Sequence, residues 1–265
     1  MPDGATKRKH LEHFPPNPDG WANPHERLKK ALADNEFILY RQSILRLSSK
    51  GPKRAHFEIF VRFMEEEQNL TPPGTFLPLL ESCNLGPELD RYVVRSVIEW
   101  CRAQRADARP VIHINLCEST LDDAEFGSFV ETTLRKAKLD GSCLCFEMPG
   151  VGKPRGAHML DLAHRLTQAG CAISVGGFDE ESIDFQPLAD LNASYLKIGD
   201  RLTRCLAENP AVAAEVSTAA RACQAFGVQT IVQFVETART LDTVRKMNVH
   251  YAQGYGISKP QPLIN

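Results

Sequence analysis

Polar residues with chemical potential recur at the ends of short apolar runs: Glu58, Arg62, Asn115, Glu147, Lys197, Gln233, Glu236 and Gln253. A single charge in such a place is commonly a solvated loop brace. Acids, amides and cations drawn from run after run, all aimed at one opening, are what a divalent cation or a phosphate requires. Each of those ligands is held by several convergent polar groups.

The runs themselves predict strands at 37–47, 56–63, 110–116, 143–148, 171–176, 193–198, 229–235 and 250–255. Amphipathic helical patterns lie at 25–35, 88–104, 126–138, 157–170 and 210–227. Eight strands alternating with helices predict the α/β class and a single closed (β/α)8 TIM-type barrel, with chemistry at the C-terminal strand ends. An open doubly wound sheet would carry a Gly-rich phosphate turn after its first strand, and none is present. Gly170 and Gly227 follow helical patterns, where a left-handed C-cap suits glycine. Residues 1–25 are rich in Pro, Gly, Asn and His and predict a flexible lead-in, which leaves 26–265 as the barrel domain.

Composition narrows the function. The chain has 265 residues, 43% of them hydrophobic, enough for one large core. Its 31 basic and 33 acidic residues are finely mixed, for a net charge of −2. That balance argues against a nucleic-acid polymer as ligand and against a polybasic membrane patch. With no 18-residue apolar run and no signal-peptide pattern, the expectation is a cytoplasmic protein without membrane insertion. Eight cysteines without a CxxC pair predict buried free thiols, Cys143 and Cys145 sharing one strand face.

Taken in order, the motifs resemble a known family. Residues 57–62 (FEIFVR) resemble its EALLR segment, with Ile-Phe for Ala-Leu, and 40–44 (YRQSI) the preceding Y-Q-P-I strand. Residues 76–81 resemble F-I-P-x-A-E, 89–93 (LDRYV) the helix after it, 114–116 V-N-L, and 146–148 the start of E-x-T-E. Residues 195–198 resemble the L-K-I-D strand, 235–237 the end of A-E-G-V-E-T, and 253–260 the final Q-G-Y…S-x-P. The chain from about 26 to 263 thus resembles the EAL family of cyclic-di-GMP phosphodiesterases, whose active members use two metals.

The resemblance also shows departures. Gly176 and Gly177 stand where that family has the aspartates of D-D-F-G, Gly199 where it has the aspartate of K-I-D, Gln233 for the first glutamate of A-E-G-V-E, and Gly150 for the second acid of E-x-T-E. Glu58, Asn115 and Glu147 remain as a vestigial metal set. The expectation is therefore a degenerate, non-enzymatic domain that needs no cofactor and binds cyclic di-GMP. Without metals, each carboxylate about 6 Å from a phosphate would cost roughly 3 kcal/mol at an effective dielectric near 20, so loss of acids favours a dianion.

The ligand contacts implied are Gln42, Glu58, Phe60, Arg62, Asp90, Asn115, Phe234, Glu236, Gln253 and Pro260. Arg62 suits a phosphate or a rim salt bridge, Asp90 a guanine edge or a helix N-terminus, and Phe60 and Phe234 a purine face or the core. His56 and His113 are expected on the opposite strand face, as packing or surface residues. Receptor members of the family further imply an upstream degenerate GGDEF domain, a PilZ-family adaptor as partner, and a role in type IV pilus or twitching regulation. The alternatives are a weak metal-dependent phosphodiesterase using Glu58, Asn115, Glu147, Lys197 and Glu236, or a nucleotide-free scaffold.

Overall fold

The structure is a computed structural model that describes residues 23–48, 54–66, 69–71, 73–149, 156–178 and 185–263. Most of the expected lead-in, with Gly150 and Asp179, lies outside the described residues.

Ten strands are described: β1 (Phe37–Arg46), β2 (His56–Glu66), β3 (Asn69–Thr71), β4 (Val111–Asn115), β5 (Leu144–Pro149), β6 (Ala172–Phe178), β7 (Tyr195–Ile198), β8 (Gln229–Val232), β9 (Tyr251–Ala252) and β10 (Gln261–Pro262). The helices are α1 (Pro24–Ala33), α2 (Pro73–Ser82), α3 (Gly86–Ala103), α4 (Phe126–Ala137), α5 (Ala157–Gln168), α6 (Gln186–Asp190), α7 (Asp200–Cys205), α8 (Pro210–Ala225) and α9 (Ala238–Arg245). The strands β2, β4, β5, β6, β7, β8 and β9 run parallel in that order, and β1 closes the ring antiparallel to both β2 and β9. β3 and β10 are short additions at the edges of β2 and β1.

The expected closed barrel is present, with one strand reversed. Among the described residues no helix lies between β1 and β2, and strands joined without a crossover element pair antiparallel. Eight register partners, from Phe37↔Phe63 to Ile44↔His56, make this the most extensive pairing in the sheet.

Local chemistry explains the elements. In β1, FILYRQSILR buries both faces: Phe37 and Leu39 pack into the outer core, while Gln42 and Ile44, on the opposite face, are buried inside the barrel. In α3, Leu89, Val93, Val94, Val97, Ile98 and Cys101 recur at helical spacing and are buried against the barrel. Asn23, Asn209 and Thr237 cap α1, α8 and α9 by accepting from backbone N–H groups in the first turn. Gly170 and Gly227 take positive φ just past α5 and α8, as expected. No helix among the described residues is long and apolar enough to cross a membrane.

The barrel interior is layered. Ile44, Val111, Cys145, Tyr195, Ile231 and Tyr251 form an inner cluster, separate from the large core between barrel and helices. Cys145 belongs to this inner cluster, but Cys143 lies in the turn before β5 and joins the outer core. They do not share a strand face. Cys205 is exposed, against the expectation of burial; the eight thiols are all free.

His56 and His113 also depart from expectation. Both are buried inside the barrel, His56 Nδ1 lying 3.2 Å from His113 Nε2, with the Tyr251 hydroxyl 3.3 Å from His56 Nε2. The reason is the period of a strand: residues two apart share a face, so His56 accompanies Glu58 and His113 accompanies Asn115 one layer below.

Burial first, then the charges of Arg54 and Arg46, lower the His56 pKa to about 4, and His113 shifts the same way. A histidine in the unfolded chain takes up a proton near pH 6.5, while folded His56 stays neutral until about 4. Stability is therefore complete above the unfolded value and falls as pH drops from about 6.5 toward 4, by about 3 kcal/mol for this group. Urea unfolding at pH 7 and pH 4.5 should show that loss, and His56→Phe should make the pH profile shallower. An equally steep profile in the variant would exclude His56 as its source.

Candidate functional site

The C-terminal ends of the strands surround a cavity of about 410 Å³ lined by Gln42, Glu58, Phe60, Arg62, Gln233, Phe234, Glu236, Gln253, Tyr255 and Pro260, among others. Eight of the ten expected ligand residues line it. Asp90 and Asn115 do not.

Beneath the cavity lies an ion cluster. Lys197 on β7 is fully buried, with its ammonium 3.1 Å from Glu58 on β2 and hydrogen-bonded to Glu147 on β5. Burial alone would lower the lysine's pKa, but the two carboxylates more than reverse this and hold it above the ordinary range. Lys197 is therefore a fixed cation. Amides fill the remaining valences of Glu58: Asn115 Nδ2 donates to Oε1 at 2.8 Å and Gln253 Nε2 to Oε2 at 2.6 Å. Gln253 Nε2 also donates to Gln42 Oε1 at 3.0 Å, and Gln42 Nε2 donates to the Ser258 carbonyl at 2.7 Å. This chain of amides ties β1, β2 and β9 to the last loop. Gln253 Oε1 is left buried without a partner.

The substitution at 176 has a visible consequence. A Cβ placed on Gly176 would stand 2.2 Å from Glu147 Oε1. Glu147 thus fills the space that a side chain on β6 would otherwise occupy, and there it meets Lys197. Two carboxylates and an amide, Glu58, Glu147 and Asn115, offer the oxygen chemistry that suits a hard divalent cation. Among the described residues, no three His, Cys, Asp or Glu side chains are grouped so as to hold a metal.

The cavity walls are aromatic and cationic. Arg62 lies over the Tyr40 ring at 5.9 Å and donates to the Val61 carbonyl at 3.1 Å. The rim salt bridge considered from sequence has no partner for it among the described residues. Phe234 is 46% exposed at the rim and takes φ +58°. A bulky residue in the left-handed region is strained, and it stands where the family motif has glycine. Tyr255, 58% exposed on the facing loop, was not among the expected contacts. The final Q-G-Y motif, which contains it, was the available signal.

Asp90 plays another part. Its Oδ2 accepts from the Cys117 N–H at 2.8 Å and the Thr120 hydroxyl at 2.6 Å, so it braces the loop after β4. Burial raises its pKa to about 7, against the pull of those donors.

Two outcomes follow for stability. Lys197→Met leaves two buried carboxylates uncompensated and should cost about 3–5 kcal/mol by urea unfolding; a loss below 1 kcal/mol would mean water already screens the cluster. Phe234→Gly should raise stability by up to about 1 kcal/mol, relief of strain outweighing the added freedom of the unfolded chain. A clear loss would show that the ring packs rather than stands strained.

Comparison with known proteins agrees with this geometry. The EAL domain family model matches residues 25–260. Cyclic di-GMP phosphodiesterase PdeB of Shewanella oneidensis is 27% identical over 239 residues, 89% of this chain and 28% of the relative. Cyclic di-GMP phosphodiesterase PdeF of Escherichia coli is 26% identical over 243 residues, 90% of this chain and 32% of the relative. The chain thus spans about three tenths of the length of these curated relatives. The Xanthomonas citri FimX EAL domain, solved in complex with c-diGMP, superimposes with a TM-score of 0.80 at 22% identity, covering 91% of this chain and 94% of that one. At that identity the likeness shows the fold.

The relatives' names correct the expectation that the chain is no enzyme. Matched over about nine tenths of this chain, they are named as phosphodiesterases, and the Glu58, Asn115, Glu147 and Lys197 groups such chemistry would use are joined in one network here. With the family model spanning the whole barrel, the chain belongs to the EAL domain family.

Proposed function

We propose that the C-terminal mouth of the barrel binds cyclic di-GMP. The observation that carries this reading is Arg62, a guanidinium on the cavity wall with no carboxylate partner among the described residues, in a cavity that the exposed rings of Phe234 and Tyr255 also line. A cyclic dinucleotide presents two phosphates and two purine faces. Arg62 would meet a phosphate through charge-assisted hydrogen bonds, and the rings would stack on a base. The buried Gln253 Oε1 is an acceptor available to a ligand donor. Lys197 offsets one of the two carboxylates below, which lowers the repulsion a dianion would feel.

The same mouth supports a second reading, metal-dependent hydrolysis of cyclic di-GMP, favoured by the names of the relatives. Glu58, Asn115 and Glu147 would hold a divalent cation, which when bound would supply Lewis acidity and a hydroxide. Lys197 would keep the carboxylates oriented, and Glu236 would face the ligand from the rim. The wider setting that the family resemblance implies, an upstream GGDEF domain, a PilZ-family adaptor that senses the bound state and a role in type IV pilus regulation, belongs to this proposal.

Calorimetry with cyclic di-GMP, once in excess EDTA and once with Mg²⁺ or Mn²⁺, tests both readings. Binding should appear in EDTA and weaken by about 1.5–3 kcal/mol in Arg62→Ala, and by about 1–3 kcal/mol in Phe234→Gly. No heat in either buffer would overturn the first reading. Linear dinucleotide formed with metal, and lost in Glu58→Ala, would establish the second; no product with either metal would sink it.

A further inference from the structure

The opposite, N-terminal end of the barrel holds a second cavity, of about 300 Å³. The first residues of six parallel strands ring it, His56, Val111, Ala172, Tyr195, Gln229 and Tyr251, because parallel strands begin together at one face. The reversed β1 delivers the end of its run to the same place, so Arg46 joins the ring, and Arg54 enters just before β2. Among the described residues no aspartate or glutamate lines this cavity.

Its polar groups are donors. Arg54 is fixed by hydrogen bonds to the Arg109, Pro110 and Ser142 carbonyls at 3.1 Å and to the Ser142 hydroxyl at 3.2 Å. Those acceptors are neutral, so its charge is left without a carboxylate contact. Asp140, the acid that acts on Arg54 through space, is exposed outside the cavity, where it accepts from the Ser142 N–H. Tyr195 is 9% exposed, lines the cavity, and its hydroxyl makes no hydrogen bond among the described residues. Ser194 also lines the cavity.

The histidine pair adds a third donor. His56 is neutral, so each of its two nitrogens has one role. If His113 Nε2–H donates to His56 Nδ1, then His56 Nε2–H donates to the Tyr251 oxygen, and the Tyr251 proton is free to point into the cavity. In that tautomer His113 Nδ1, which has no partner, is a bare lone pair rather than a buried N–H.

We propose that this N-terminal cavity is a binding site for a phosphate group, held by Arg46, Arg54 and the hydroxyls of Tyr195 and Tyr251. Two arginines, two hydroxyls and, among the described residues, no acid are the chemistry of an oxyanion site. The space exceeds that of a bare phosphate, so the group can arrive on a small sugar-sized body. The site is independent of the nucleotide mouth, which lies at the other end of the barrel.

The test is calorimetry and thermal unfolding of the whole chain at constant ionic strength, with inorganic phosphate and with ribose 5-phosphate as probes. At least one probe should bind saturably and raise the melting temperature. Tyr195→Phe and Arg46→Gln should each weaken binding at least tenfold; Tyr195→Phe removes a single oxygen that makes no hydrogen bond among the described residues. A response to inorganic phosphate alone would still support the proposal and limit the ligand to the free anion. No saturable response to either probe, or an undiminished one in both variants, would overturn it. So would a response lost in Arg62→Ala but kept in Tyr195→Phe, because the anion would then sit at the other mouth.

Discussion

A lysine ammonium sealed between two carboxylates is the constraint on which the rest of the mouth depends. Removing these ions from water costs several kcal/mol each, and the cost is met only when geometry and further hydrogen bonds are complete. Lys197, Glu58 and Glu147 come from three different strands, and Asn115 from a fourth and Gln253 from just past β9 complete Glu58. The cluster therefore joins four strands and the segment just past β9 at the end where the cavity opens. Gln253 continues the link to Gln42, and through it to the last loop at Ser258. The floor of the site and the closure of the barrel are one network.

The two ends of this barrel differ in electrical character for a topological reason. Carboxylates collect where the parallel strands finish, and a cation is needed among them. Where the strands begin, two arginines and a pair of histidines meet with no acid inside the ring among the described residues. The field there is strong enough to help keep His56 neutral. Reversal of β1 matters at both ends, since it carries Gln42 into the upper network and Arg46 to the lower cavity.

Two positions show how a glycine gained and a glycine lost reshape one site. Gly176 leaves room beside β6, and the Glu147 carboxylate occupies it while reaching Lys197. Phe234 replaces a motif glycine and keeps its left-handed backbone, next to Val235, whose N–H donates to the Gln253 carbonyl and whose carbonyl accepts from the Gly256 N–H. Strain held at a rim, with the ring half exposed, is the kind of local conflict that functional sites retain.

Strand and helix periods along the chain already determined the barrel, the face each strand presents, and the residues that would gather at one mouth. The period is local, and burial of the apolar face enforces it. The same period places His56 beneath Glu58, so that error was one of reading rather than of missing information. Other features belong to the tertiary structure alone. The Gln253–Glu58 bond joins residues 195 apart, and the Lys197–Glu147 bond residues 50 apart. No window of sequence contains such pairs. Asp90 matched a ligand position by motif but is turned to the Cys117 loop, because a backbone N–H and a hydroxyl lie within its reach. Nine motifs in order and a run of alternation made the Arg62 mouth legible; the cavity at the other end is lined mainly by residues of no motif, and only closure of the ring brings them together.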